Sequence, residues 1–219
     1  MSLVKKILLG VALVVILFVV FVFYTMNKIF TPTIGEKIAA YAAPAKALLV
    51  IDVQEDFSGL KGKPPVPYKN VESQIANINE LIDRATRAGI QIVYIRHLYD
   101  DNFLMRLLAG RDIEGTPGAE IDTRVKVVTG NVFTKKISDS FSNPQLDDFL
   151  IKNHVNELYL TGLDAAYCVY NTAMGGLNRG YKVTIVNDAV MTRKEMKDVL
   201  LRYEKDGIRT AQTRNAVIP

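Results

Sequence analysis

From residue 46 onward, short apolar runs with β-branched centres alternate with amphipathic stretches, and this alternation constrains the fold more than any other feature. Residues 47–53 (ALLVIDV) and 90–95 (IQIVYI) are apolar at nearly every position, as in strands covered on both faces. Further strands are predicted at 131–134, 158–160, 182–186 and 216–218. Between the first two, residues 71–88 carry Val71, Ile75, Ile78, Ile82 and Ala85 at helical spacing and stop at Gly89. Helices are also predicted over 104–108, 144–153, from about 168 to Gly180, and over 193–205; a glycine-rich stretch at 109–122 reads as a lid loop. Strands separated by helices imply an α/β fold with three layers, α/β/α, around a doubly wound, mostly parallel sheet of order 3-2-1-4-5-6. An α+β arrangement would need the strands grouped together, and they are not.

The front of the chain is different in kind. Residues 7–26 form a run of twenty without a charge, after Lys5 and Lys6. At about 1.5 Å per residue such a helix crosses a hydrocarbon core of roughly 30 Å. A cleaved signal peptide has a shorter apolar region and a small-residue cleavage site; this segment closes on Phe-Val-Phe-Tyr instead. The expected organisation is a transmembrane anchor (1–26), a Pro/Gly/Ala-rich linker (27–45) with a short helix over 36–42, and a catalytic domain (46–219). Lysines flank the anchor equally on both sides, so the paired lysines of the short N-terminus carry the expectation that the domain is extracytoplasmic. The net charge of +4 is scattered, with no basic run interleaved with aromatics, which argues against a nucleic-acid partner. One cysteine excludes an intramolecular disulfide and a multi-cysteine metal site.

That cysteine, Cys168, follows the predicted fourth strand across a turn and opens a helix. Unpaired N–H groups and the helix dipole at such a place favour a thiolate; equally, a lone cysteine can be a small apolar filler. In a doubly wound sheet, sites form beyond the carboxyl ends of the strands. Asp52, His97 and Lys135 each close a predicted strand there. Aspartate, lysine and cysteine together supply a base, a cation and a nucleophile.

The segments ALLVIDVQEDF, IVYIRH, GTPGAEID, VFTKKISDSF, TGLDAAYCVYNTA and GYKVTIVNDAV, in this order, resemble the isochorismatase-like cysteine hydrolases. That superfamily includes nicotinamidases and N-carbamoylsarcosine amidases. The resemblance implies a catalytic triad of Asp52, Lys135 and Cys168, with Lys135 preferred to Lys136 because it stands six residues before Phe141. It implies Phe57 and Tyr167 as pocket residues, with His97 on the wall. It also implies a cis peptide between Leu163 and Asp164 and an oxyanion hole from the backbone N–H groups of Asp164 and Cys168. The expected reaction is hydrolysis of a C–N bond in a small carboxamide or ureido substrate through a thioester.

The chain also departs from its relatives. Nicotinamidases hold a metal with an aspartate and histidines, whereas this chain has two histidines, His97 and His154, without that spacing; no metal or other cofactor is expected. True isochorismatases lack the cysteine, so Cys168 points to C–N chemistry. Asp139 stands where relatives have a small residue, and solvent is its expected environment. Gly175 and Gly176 are expected to bring their helix close to the sheet. The competing readings are a catalytically silent binding or assembly module at the membrane and a thiol redox sensor, the latter weakened by the missing resolving cysteine. A homo-oligomer is compatible with the resemblance.

Overall fold

Alternate residues of a strand point to opposite faces, so a strand apolar at every position needs cover on both sides. In the computed structural model, which describes residues 2–63 and 66–216, β1 (Ala45–Ile51) is such a strand. Ala47, Leu49 and Ile51 enter one core, while Leu48 and Val50 enter the other. Among the described residues, six parallel strands form one sheet of order β3-β2-β1-β4-β5-β6. The others are β2 (Gln91–His97), β3 (Val132–Lys135), β4 (Val155–Leu163), β5 (Lys182–Met191) and β6 (Arg209–Ala211).

Helix α1 (Leu3–Phe30) stands apart from this sheet with no buried residue. Helix α2 (Val71–Arg87) covers one face with Ile75, Ile78, Leu81, Ile82 and Ala85. The other face is covered by α4 (Pro144–Lys152), α5 (Tyr170–Asn178) and α6 (Met196–Lys205), through Leu146, Leu150, Ala173, Val199 and Tyr203 among others. The short α3 (Phe103–Leu108) follows β2 and buries nothing.

Two strands differ from expectation. Strand β4 runs on through Gly162 to Leu163, because Gly162 (φ 105°) lets β1 approach. A Cβ there would lie 2.0 Å from the Ile51 carbonyl oxygen, so only glycine fits. The sixth strand is Arg209–Ala211 rather than 216–218. Its two exposed polar residues hid it from an apolar pattern, whereas Ala216 lies in a bend and residues 217 and 218 fall outside the described residues. Gly176 meets the expectation of close packing, since a Cβ there would be 3.1 Å from Val183 and 3.3 Å from Leu158; one on Gly175 would strike the Asp139 carboxylate.

The linker is the largest correction. No helix forms over 36–42, and residues 31–44 run extended along α5 from the carboxyl end of the sheet to the opposite end. At the start, the Ile29 carbonyl accepts from Ser138 N–H and Oγ, and the Phe30 carbonyl from Asn171 Nδ2. Thr33 N–H and Oγ1 donate to Asp139 Oδ2 at 2.7 and 2.6 Å, and the Thr33 carbonyl accepts from Asn178. Ile38 N–H then donates to the Arg179 carbonyl, Tyr41 stacks on His154, and Ala45 begins β1. Asp139 is therefore fully buried and binds this strap, instead of facing solvent. Burial pushes its carboxyl upward, opposed by the Thr33 and Phe141 donors.

Replacing Asp139 by alanine strands the buried Phe141 N–H and the part-buried N–H and Oγ1 of Thr33, at a cost of about 1–3 kcal/mol. The expected outcome is a lower melting temperature of the detergent-solubilised chain and faster proteolysis within residues 31–44. Unchanged cleavage would show that the strap is not held by this carboxylate.

Candidate active site

Strands β1 and β4 are neighbours whose following helices, α2 and α5, pack on opposite faces. A crevice opens at the carboxyl ends of such a strand pair. Asp52 turns the chain directly after β1 with φ 54°, a left-handed conformation that aspartate tolerates better than most residues. Its N–H donates to the Ile95 carbonyl, which fixes it to the neighbouring strand. Lys135 ends β3 and extends past the end of β2. Its Nζ lies 2.7 Å from Asp52 Oδ2 and 3.3 Å from Cys168 Sγ. Lys136, on the opposite side of the strand, reaches outward to Asp100.

Cys168 sits in a single wide turn, Ala165–Val169, that leads into α5. Asp164 opens that turn, its Oδ1 accepting from Ala166 N–H at 2.8 Å, and the Leu163–Asp164 peptide is cis. The structure thus brings Asp52, Lys135 and Cys168 into contact and places Asp164 at the entry of the same turn. Phe57, His97 and Tyr167 line the same cavity, of about 300 Å³.

The electrostatics differ from the sequence expectation in one respect. Burial pushes the Cys168 thiol up to about 12, Lys135 opposing and Asp52 reinforcing the shift. Burial and Asp52 thus favour the thiol over the thiolate that a helix start alone would suggest. Burial would lower Lys135, but the adjacent Asp52 carboxylate and Cys168 more than reverse this and hold the ammonium above its ordinary range.

Sequence reasoning missed several wall residues: Tyr68, Tyr99, Arg111, Asp112 and Arg193. Asp112 is buried and has φ 53°. Its carboxylate lies 3.4 Å from His97 Nδ1. Burial, then Asp52 and Asp56, raise Asp112 to about 8. Burial and the Lys135 charge lower His97 to about 4. Both shifts favour the neutral forms, imidazole on His97 and carboxyl on Asp112. The glycine-rich stretch carrying Asp112 is a pinned wall rather than a free lid. Asp112 N–H donates to Asp56 Oδ2, Asp56 N–H to the Gly118 carbonyl, Glu55 N–H to the Glu120 carbonyl and Asp122 N–H to the Val53 carbonyl.

These contacts also decide the fit of a metal. Both Asp56 oxygens are taken by backbone N–H groups, those of Lys63 and Asp112. His97 faces Asp112, and His154 lies at the other end of the sheet, where its carbonyl accepts from Ala45. Among the described residues, no group of three or more potential ligands clusters. The side chains beside the pocket do not fit a zinc site.

A model of the isochorismatase domain matches residues 46–213. The secreted isochorismatase effector Isc1 of Verticillium dahliae is 31% identical over 149 residues, 67% of this chain and 72% of that protein. The pyrazinamidase of Pyrococcus horikoshii, solved in complex with zinc, superposes with a TM-score of 0.68 at 29% identity, covering 77% of this chain and 99% of that one. The N-carbamoylsarcosine amidase of Thermoplasma acidophilum gives a TM-score of 0.66 at 25% identity, covering 79% and 99%. With the sheet order, the strand-end positions of Asp52 and Lys135 and the domain match in agreement, the chain belongs to the isochorismatase family.

Proposed function

We propose that the protein is a membrane-anchored cysteine hydrolase that cleaves a C–N bond of a small carboxamide or ureido compound. The observation that carries this reading is the Lys135 ammonium within reach of both Asp52 and Cys168. The amidases among its structural relatives add support. In the proposed reaction Asp52 accepts the Cys168 proton as the sulfur attacks the substrate carbonyl carbon. The oxyanion is received by the N–H groups of Asp164 and Cys168, at about 3–4 kcal/mol per donor. Asp52 returns the proton to the departing nitrogen, leaving a thioester, then takes a proton from water as the hydroxide attacks. Collapse releases the acid and expels the sulfur, to which Asp52 returns the proton it took from water. Lys135 stays protonated throughout and balances whichever of Asp52 or Cys168 carries the negative charge.

Anchoring by α1 is part of the proposal. The helix is long and apolar enough to span a membrane, as a signal sequence would also be. The hydrogen bonds of Ile29 and Phe30 to Ser138 and Asn171 argue against cleavage after Phe30, which would discard partners of buried groups. The small aromatic-walled pocket suits a compact substrate, and Asp52 Oδ1 and Asp112 Oδ1, both buried without a hydrogen bond in the chain, suit a substrate that offers N–H groups.

The test is ammonia release from a carboxamide and ureido panel by the full chain in detergent. Cys168→Ala should lower turnover by at least about a thousandfold; activity surviving it rules out the thioester route. Asp52→Asn should abolish turnover yet lower the thiol pKa, since Asp52 holds it up. Iodoacetamide labelling of Cys168 at neutral pH should therefore accelerate in that variant. Slower labelling would mean that Asp52 does not oppose thiolate formation in the resting site.

Asp112 makes a separate prediction with a definite sign. Its folded pKa, about 8, exceeds the ordinary 3.8, so the folded state binds the extra proton. Its contribution to stability is fully present below 3.8 and is lost progressively as pH rises to about 8. Asp112→Asn should flatten this part of the melting-temperature profile against pH; an unaltered slope would place the titration elsewhere.

A further inference from the structure

Helix α3 is six residues long, FLMRLL, and four of them are large apolar side chains directed at solvent. Phe103 is 81% exposed, Leu107 68% and Leu108 69%, with Leu104 similar. A short helix that buries none of its apolar side chains gains nothing from packing within the domain. Leu60, 80% exposed, lies in the loop that also carries Lys61 and Lys63, and both lysines share a surface depression with Arg106 of α3. Arg106 is paired with Asp101, which offsets its charge. Apolar side chains flanked by basic ones on one surface are the pattern of a segment that rests in the interfacial layer of a bilayer.

The position of this surface on the domain identifies its occupant. The cavity above Cys168 has Ala109, which ends α3, on one wall and Tyr167 on another. The Tyr167 ring meets that of Phe30, the last residue of α1, with centroids 6.1 Å apart. The end of α1 is bound by Ser138 and Asn171 beside the same cavity. The strap then runs away along α5 to the opposite end of the sheet. The apolar helix thus leaves the domain at its active-site end, across the cavity from α3.

We infer that α3 and Leu60 form a second membrane contact, seated in the bilayer surface beside the point where α1 enters, so that the active-site mouth opens toward the lipid interface. This rests on the anchoring reading above. The occupant is the lipid surface itself, since α1 brings that surface to this end of the domain. An anchor on a slack linker would leave the domain free to tumble; the bonded strap gives it one orientation.

The chain contains no tryptophan, so a single introduced one reports its own surroundings. Leu107→Trp in α3 and Phe18→Trp in α1 are each reconstituted as the full chain in vesicles of phosphatidylcholine with a minority of phosphatidylglycerol. Both positions are exposed in the protein, so neither change disturbs the core. The expected result is blue-shifted emission from both, with Leu107→Trp quenched best by lipids carrying a doxyl group near the headgroup and Phe18→Trp by lipids labelled deep in the chain. Water-like, unquenched emission from Leu107→Trp beside a quenched Phe18→Trp would leave the anchor standing and overturn the second contact. Blue-shifted emission from Leu107→Trp that lipid labels do not quench would place a second copy of the protein on α3, which also overturns it. An unquenched Phe18→Trp would remove the anchor and the inference together.

Discussion

The Lys135 side chain has no exposed surface, and a buried ammonium is tolerable only when paired. Its partners come from distant parts of the chain: Asp52 after the first strand and Cys168 in the turn before α5. Each is placed by a separate device. Asp52 adopts a left-handed backbone and bonds to β2, while the cysteine turn is entered through Asp164. The order of the sheet is what allows these devices to meet. Because β2 and β1 lie between β3 and β4, the lysine must reach across two strand ends, and a long flexible stem does what a shorter cation could not.

The same cation bears on the state of the surrounding groups. Burial, and then this cation, push His97 down, whereas burial, Asp52 and Asp56 raise Asp112 against the pull of the same cation. It does not make the sulfur a resting thiolate, since burial and Asp52 outweigh it. In the proposed mechanism the proton therefore leaves the thiol only as the carbon–sulfur bond forms.

How much of this was legible in the sequence follows from where the signals lie. Asp52, Lys135 and Cys168 each sit at the end of an apolar run, so alternation alone brought them to one edge of the sheet, and the family resemblance selected among them. Tyr68, Asp112 and Arg193 left no such mark, because they reach the cavity from irregular loops whose path no periodicity describes. Strand β6 was missed for want of apolar residues, and Gly162 read as a turn although it serves the close approach of two strands. The strap was misread for a related reason. Proline, glycine and alanine suggest a slack tether, but its partners are Ser138, Asp139, Asn171, Asn178 and Arg179, more than a hundred residues away.

The strap and the site share their scaffold, and this couples the attachment of α1 to the placement of Cys168. Helix α5 carries Cys168 just before its first turn, Asn171 within it, and the glycines against which Asp139 and the sheet pack. Gly175 is small because the Asp139 carboxylate occupies the space of its side chain, and that carboxylate holds Thr33. A change that lifts the strap therefore leaves Asn171 and Asn178, on the helix that follows Cys168, without their acceptors. It acts without touching substrate, through the packing of α5 against the sheet. Asp139, expected to face solvent, instead ties the strap that follows the apolar helix to the face of α5 that carries Gly175.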